Sequence, residues 1–245
     1  MSATTLHRQM TEPPDTQPPS NPRRTVGLRL GSLTLTGPAA AAVGLLVVAL
    51  IVALIVRSRP SLGMLLAGAI WLGFAVFWNL TAGRGGAGKR EETVESRSVR
   101  QNLLSLALLL LFVPIPGLGW RFIQSARWHV PAGLAIMAAA TLLHVWARVH
   151  LGRNWSSEVM IKTDHKLVRT GPYRFVRHPI YTAILGLAFG TAFVAGRIVS
   201  LLGAAVFTYA YIRKLRIEER ALGATFGSAW EDYRRRSWAL VPWLY

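Results

Sequence analysis

The chain contains no cysteine. That absence excludes disulfides, thiolate metal sites and a cysteine nucleophile. Charge is also scarce: 16% of the 245 residues are Asp, Glu, Lys or Arg, against about 25% in a typical soluble domain. Negative charge is scarcer still, with 11 acidic residues against 28 basic ones and a net charge of +17. The i, i+4 histidine spacing of a helical zinc site is missing too. His144 and His150 lie six apart and read as polar residues at a helix end, so no metal is expected. Gly83, Gly85 and Gly88 spell G-x-G-x-x-G, but the dinucleotide fingerprint needs a strand before it and a helix after it. Here an apolar run precedes and Lys89-Arg90-Glu91-Glu92 follows. The segment reads as a cytoplasmic loop, with no Rossmann domain.

What the sequence does have is long apolar runs, with 52% hydrophobic residues and a mean hydropathy of +0.34. They cover Pro38 to Val56, Leu62 to Leu80, Leu103 to about Ile115, Val130 to Val149, Pro179 to Val194 and Ile198 to Ile212. The last two form a hairpin around Ala195-Gly196-Arg197 and sit near the lower length limit for a span. With the N-terminus in the cytoplasm, all but five of the 28 Lys and Arg residues fall on the inside; the exceptions are Arg57, Arg59, Arg121, Arg127 and Arg197. The positive-inside rule therefore favours six spans with both termini cytoplasmic, in a bacterial inner membrane.

The expected fold class is all-α: a polytopic membrane protein of about six transmembrane helices, including the C-terminal hairpin, plus a cytoplasmic amphipathic C-terminal helix. That last helix is read from Leu222, Phe226, Trp230, Tyr233 and Ser237 at 3.6-residue spacing beside Arg234, Arg235 and Arg236. Three regions are expected. Residues 1–35, polar and proline-rich, form a disordered cytoplasmic tail with no cleaved signal peptide; residues 36–150 hold four spans; residues 151–245 form a functional core. The basic residues adjoin membrane segments, so membrane lipid is the expected partner and nucleic acid is not. Gly186 and Gly190 give one helix a small-xxx-small face for close packing.

Residues 151–181 carry the chemistry. They contain Leu151-Gly152-Arg153-Asn154-Trp155-Ser156, Asp164-His165-Lys166-Leu167-Val168, Gly171-Pro172-Tyr173-Arg174 and Arg177-His178-Pro179-Ile180-Tyr181. Gly171-Pro172 signals a turn. Pro179 suits the first turn of a helix, where its missing N–H is no loss. Arg177 and His178 then sit at a helix N-terminus by the membrane surface, where orphan amides, the helix dipole and Arg177 favour an anionic group. Snorkelling anchors in an aromatic belt account for Arg169, Arg174 and Tyr173 singly. They do not account for the order His178, Pro179, Tyr181. Further on, Glu218 and Glu219 are adjacent in a basic helix. Ordinary ion pairing, Lys214 with Glu218 and Arg216 with Glu219, is one reading; two carboxylates holding a cationic ammonium and a ribose diol is the other.

Taken together, Leu-Gly-x-x-Trp-Ser, His-x-Leu-Val, Gly-Pro-Tyr-Arg, Arg-His-Pro-x-Tyr, the hairpin, Glu218-Glu219 and Phe226-Gly227-x-x-x-x-x-Tyr233 resemble the isoprenylcysteine carboxyl methyltransferase family, related to the phospholipid methyltransferases. The resemblance spans about Leu151 to Leu244. It implies an integral-membrane enzyme that uses S-adenosylmethionine, held in a cytosolic pocket, to methylate a lipophilic or lipidated substrate, such as the carboxylate of isoprenylcysteine. Carried onto this chain, His165, Gly171 and Tyr173 would line the pocket. His178 and Tyr181 would contact the cofactor, and Glu218 and Glu219 would hold its polar groups. Arg177 and Glu219 are the expected catalytic pair, with Arg177 pairing with a carboxylate or orienting a glutamate. One departure is Thr182-Ala183 after Tyr181, where the family often has glycine. Two other classes compete: an NADPH-dependent membrane reductase, whose pattern usually has Asn before the tyrosine, and a non-catalytic membrane module. Oligomeric state is left open.

Overall fold

The structure, a computed structural model, describes residues 27–30, 33–36, 53, 56–57, 59–82, 88–90, 92–115, 117–123, 128–152, 160–162 and 167–245. The chain divides into two units, Met1–Leu50 and Ile51–Tyr245. In the first, β1 (Gly27–Leu30) pairs antiparallel with β2 (Leu33–Thr36), with Gly27 opposite Thr36 and Leu30 opposite Leu33. This pair falls largely within the range expected as a disordered tail; the rest of that range lies outside the described residues. So does most of the first apolar run, Pro38 to Val56, and residues 83–87 of the glycine-rich loop.

The second unit contains six α-helices among the described residues. They are α1 (Leu62–Ala82), α2 (Val94–Phe112), α3 (His129–Leu151), α4 (Pro179–Ala195), α5 (Ile198–Phe226) and α6 (Ser228–Arg235). Two three-residue strands, β3 (Gly88–Arg90) and β4 (Met160–Lys162), pair antiparallel. The helices Leu62–Thr81, His129–Leu151 and Ile198–Phe226 are each long and apolar enough to cross a membrane, and α4 is apolar but only 17 residues long. The chain is an integral membrane protein with a helical core.

One helix departs from expectation. The third apolar run was placed at Leu103 to Ile115, yet α2 starts nine residues earlier, at Val94. Its polar first half is held by Thr93, whose side chain accepts a hydrogen bond from the Ser96 amide at 3.2 Å. It stops at Phe112 because Val113, preceding Pro114, is extended.

Close packing is set by small residues. A Cβ on Gly190 would lie 2.8 Å from the Gly133 carbonyl oxygen and 2.5 Å from Met137 Cγ, and one on Gly186 would lie 2.9 Å from Ala140 Cβ. The Gly186/Gly190 face thus brings α4 against α3, as close helix association in a membrane requires. Trp71 Nε1 donates to Thr191 Oγ1 at 2.9 Å, tying α1 to α4.

The C-terminal segment is the main correction. Residues 222–237 were read as one amphipathic helix lying on the membrane. Instead α5 ends at Phe226, Gly227 takes a left-handed φ of +52°, and α6 begins at Ser228. Trp230 and Tyr233 are buried, because α6 folds back onto the protein. The Tyr233 hydroxyl donates to the Tyr173 carbonyl at 2.6 Å. His144 is corrected as well: it is not a polar helix-end residue but 1% exposed, enclosed by Phe74, Phe77 and Trp78 of α1.

Candidate functional site

The site forms where α4 begins. Pro179 occupies the first helical position, and the chain before it runs beside the C-terminal segment. The Trp238 amide donates to the Phe175 carbonyl at 3.2 Å, the Arg177 amide to the Trp238 carbonyl at 2.8 Å, and the His178 amide to the Ala239 carbonyl at 3.1 Å. One turn later, the Thr182 hydroxyl donates to the Leu240 carbonyl at 2.6 Å. That gives a physical role to the threonine that departs from the family pattern.

This backbone frame fixes two side chains toward α5. The Arg177 Nε donates to Glu219 Oε1 at 2.8 Å, while its Nη1 donates to the Arg234 carbonyl at 3.2 Å and to the Ser237 carbonyl. The His178 ring stacks on Tyr181 with centroids 5.2 Å apart and an interplanar angle of 1°. His178 Nε2 lies 3.4 Å from Glu219 Oε1, and its Nδ1 lies 4.0 Å from Glu218 Oε2. The imidazole therefore stands between two adjacent carboxylates. Its Nε2 is buried and makes no well-formed hydrogen bond among the described residues. The Tyr181 hydroxyl donates to Glu218 Oε2. Glu218 is the more open carboxylate, its side chain 31% exposed against 16% for Glu219.

Sequence reasoning thus brought five residues to one place: Arg177, His178, Tyr181, Glu218 and Glu219. It left the glutamates with intrahelical lysine and arginine partners as one alternative. In the structure Tyr181 of α4 and Arg177, two residues before that helix, reach them.

Of the remaining expected site residues, Gly171 and Tyr173 have partners of their own. Gly171 has a φ of +59°, and a Cβ there would meet the His150 ring at 2.7 Å. Its requirement for glycine is explained by that ring, whose Nε2 also lies 2.8 Å from Thr170 Oγ1. Tyr173 is buried with its hydroxyl toward the Ala147 carbonyl of α3 at 3.4 Å. Burial, then the nearby Glu218 charge, raises the Tyr173 phenol well above its ordinary pKa. Burial likewise pushes Tyr233 up to about 12. Both phenols therefore stay protonated as hydrogen-bond donors at neutral pH. His165, together with residues 153–159 of the Leu-Gly-x-x-Trp-Ser region, lies outside the described residues.

A second ion pair, not singled out from the sequence, borders the site. Arg100 near the start of α2 grips Glu92 with two hydrogen bonds, Nε to Oε1 at 3.1 Å and Nη2 to Oε2 at 2.9 Å. Burial alone would raise the Glu92 carboxyl, but the Arg100 hydrogen bond and charge outweigh it and hold Glu92 below the usual carboxylate range. Lys214 of α5, also buried, places its ammonium 5.2 Å from the centre of the Tyr181 ring. Such a cation over an aromatic face is favourable. The sequence signal for Arg100 and Glu92 was weak, since they lie eight apart and fit no helical pairing rule. Among the described residues no group of three or more metal-ligating side chains occurs.

The fold and this cluster define a helical integral membrane protein whose chemistry-bearing residues gather at one end of a helix hairpin. Residues 133–224 match the model of the isoprenylcysteine carboxyl methyltransferase family. The family resemblance read from the motifs holds over that segment, which contains the whole five-residue cluster. The chain is 32% identical to the protein-S-isoprenylcysteine O-methyltransferase of Schizosaccharomyces pombe, over 45% of this chain and 48% of that protein. It is 33% identical to methanethiol S-methyltransferase 2 of Bradyrhizobium diazoefficiens, over 61% of this chain and 60% of that protein. It is 28% identical to the protein-S-isoprenylcysteine O-methyltransferase B of Arabidopsis thaliana, over 48% of this chain and 61% of that protein. The matched region thus spans about half to three-fifths of these relatives. A solved structure of the eukaryotic intramembrane Ras methyltransferase ICMT aligns with 62% of this chain and 54% of that one, at 20% identity and a TM-score of 0.46.

Proposed function

We propose that this protein is an integral-membrane, S-adenosylmethionine-dependent methyltransferase acting on a lipophilic acceptor. One observation carries the reading: the buried His178 ring held between Glu218 and Glu219, with Tyr181 stacked on it. A cofactor with an ammonium, a ribose diol and a sulfonium needs carboxylates and aromatic faces. The cluster offers both, with the buried His178 Nε2 3.4 Å from Glu219 Oε1. The relatives support the activity, since all three are named as methyltransferases.

In this reading S-adenosylmethionine, when bound, supplies an electrophilic methyl group. The chain's own residues supply orientation. Glu218, the more exposed carboxylate, holds the cationic or diol part of the cofactor. Glu219 is kept ionised, against the effect of burial, by His178 and Arg177. Arg177 also fastens the C-terminal segment through the Arg234 and Ser237 carbonyls, so the same guanidinium orders the carboxylate and the chain beside it. The faces of Tyr181 and His178 offer π density to a positive group. Fixing two reactants in line accounts for much of a displacement's rate, so no general base is assigned; a carboxylate or thiolate acceptor is already nucleophilic. Tyr173, close enough to Glu218 to feel its charge, borders the pocket. The topology proposed is six spans with both termini cytoplasmic, in a bacterial inner membrane, which puts the cluster at the cytoplasmic surface.

A lipophilic carboxylate such as isoprenylcysteine is the acceptor proposed, with a thiol as the second reading, favoured by the match to the methanethiol enzyme. The test is calorimetry of S-adenosylmethionine, S-adenosylhomocysteine and NADPH on the detergent-purified protein. This is followed by methyl transfer to an S-farnesylcysteine and to an alkanethiol. Binding of both adenosyl compounds without NADPH is expected. NADPH binding alone would make the protein a reductase, and binding of the adenosyl compounds with no transfer to any acceptor would make it a non-catalytic module.

A further inference from the structure

We propose that the end of the helical core opposite the Glu218–Glu219 cluster binds a phosphoryl anion, the headgroup of an acidic phospholipid, through Arg121 and Arg197 beside Gly196. The 17 residues of α4 span about 25 Å, with the cluster at the Pro179 end and this second group at the other. Here the chain 120–122 pairs with the hairpin turn. The Ile198 amide donates to the Trp120 carbonyl at 2.9 Å, the Phe122 amide donates to the Gly196 carbonyl at 3.1 Å, and Arg121 bridges Arg197. Gly196 adopts a left-handed φ of +64°, and a Cβ there would lie 3.4 Å from both Arg121 Nη2 and His129 Nε2. Two guanidinium groups and an imidazole therefore converge on one turn, which is also where α3 and α5 begin. The helices α4 and α2 also end here, so the helix ends add no net positive charge and the cationic character comes from the side chains.

Among the described residues Arg197 Nη2 donates to the Leu111 carbonyl at 3.4 Å, and neither Arg121 nor Arg197 has an acidic partner. The sequence explains why: all 11 acidic residues lie at positions 12–15, 91–95, 158–164 and 218–232, with none from 96 to 157 or 165 to 217. Burial, and then the like charge of Arg121, lower the Arg197 pKa. A half-buried cation beside a second cation is unfavourable unless an anion joins them. Two exposed tryptophans, Trp120 at 76% and Trp128 at 58%, flank the group. Exposed tryptophans beside membrane-spanning helices mark headgroup depth, which makes a lipid phosphate the nearer source than phosphate in solution.

The test uses the full chain in detergent micelles, read by native mass spectrometry and thermal unfolding with dioleoylphosphatidylglycerol, dioleoylphosphatidylcholine or inorganic phosphate added. The parent should retain phosphatidylglycerol in preference to phosphatidylcholine. R121Q should lower that retention about fivefold, as expected for one surface cation near an anionic lipid. R121Q/R197Q should abolish the preference, while R197K should keep most of it. Arg121 is exposed, so R121Q remains informative if R197Q fails to fold, and helical circular dichroism with size-exclusion elution checks the fold. Retention in R121Q and the double variant equal to the parent would overturn the proposal. Stabilisation by inorganic phosphate equal to that by the lipid would overturn the headgroup assignment.

Discussion

At the Pro179 end of α4, Arg177 meets Glu219 and two backbone carbonyls, and His178 and Tyr181 meet the two adjacent carboxylates. At the Gly196 end, Arg121 and Arg197 stand side by side with no carboxylate among the described residues. The helix between them is the same apolar rod. The difference teaches where each end finds its countercharge. The first end is neutralised from within the chain, so its residues serve folding and binding together. The second is completed by its surroundings, so its residues should affect lipid retention and leave cofactor binding alone.

The comparison can be broken most severely at Arg177. Arg177→Ala leaves Glu219 partly buried without its guanidinium and releases the C-terminal segment. Loss of one partner of a buried pair costs about 3–5 kcal/mol, so thermal unfolding should shift sharply downward and calorimetric S-adenosylmethionine binding should vanish. A stable variant with parent-like binding would remove Arg177 from the site. Next come the carboxylates. Glu219→Gln and Glu218→Gln should each weaken S-adenosylmethionine binding at least about tenfold, a loss of about 1.4 kcal/mol, with the protein still inserted. The Glu219 variant should also lose stability because it faces Arg177. Equal affinity in either variant would cancel that glutamate's role.

Gly190→Leu probes the rod itself. The added side chain meets Met137 and the Gly133 carbonyl, and overpacking of this kind costs about 1–3 kcal/mol. The melting temperature should fall while the remaining folded protein binds cofactor as before. The smallest effect is expected for Tyr233→Phe, which removes the hydrogen bond to the Tyr173 carbonyl. About 1 kcal/mol should be lost, seen as a small rise in protease cleavage after residue 227 and in cofactor off-rate. Unchanged cleavage would mean that the C-terminal segment is held by Arg177 and the backbone pairing alone.

Much of the candidate site was legible in the sequence because its signals are local. Arg177, His178, Pro179 and Tyr181 are placed by a single turn, since Pro179 fixes where the helix starts and the helix period puts Tyr181 three residues from His178. The hairpin was legible from Gly196, which can take the left-handed conformation that ends α4. The partners of Glu218 and Glu219 were not legible. Intrahelical pairing and cross-helix pairing fit the same string, and only the packing of α4 against α5 brings Tyr181 and Arg177 to the carboxylates. Arg100 and Glu92 were missed for the same reason: their grip on one another depends on the loop that carries Glu92 back beside α2. The amphipathic reading of residues 222–237 was right about one apolar face and wrong about what covers it, because periodicity cannot distinguish a membrane surface from the protein's own core.

The sequence by itself determined that this chain lives in a membrane, where α4 begins and turns back into α5, and which residues carry charge at each end. Those follow from hydropathy, proline and glycine, and from the uneven distribution of acids, all of which act over a few residues. Only the tertiary structure decided that α6 folds back onto the Arg177 frame, that Glu218 and Glu219 face across to α4, and that Arg121 and Arg197 share one turn. Each of those depends on contacts between residues tens of positions apart, and the free energy that selects them arises only when the helices pack.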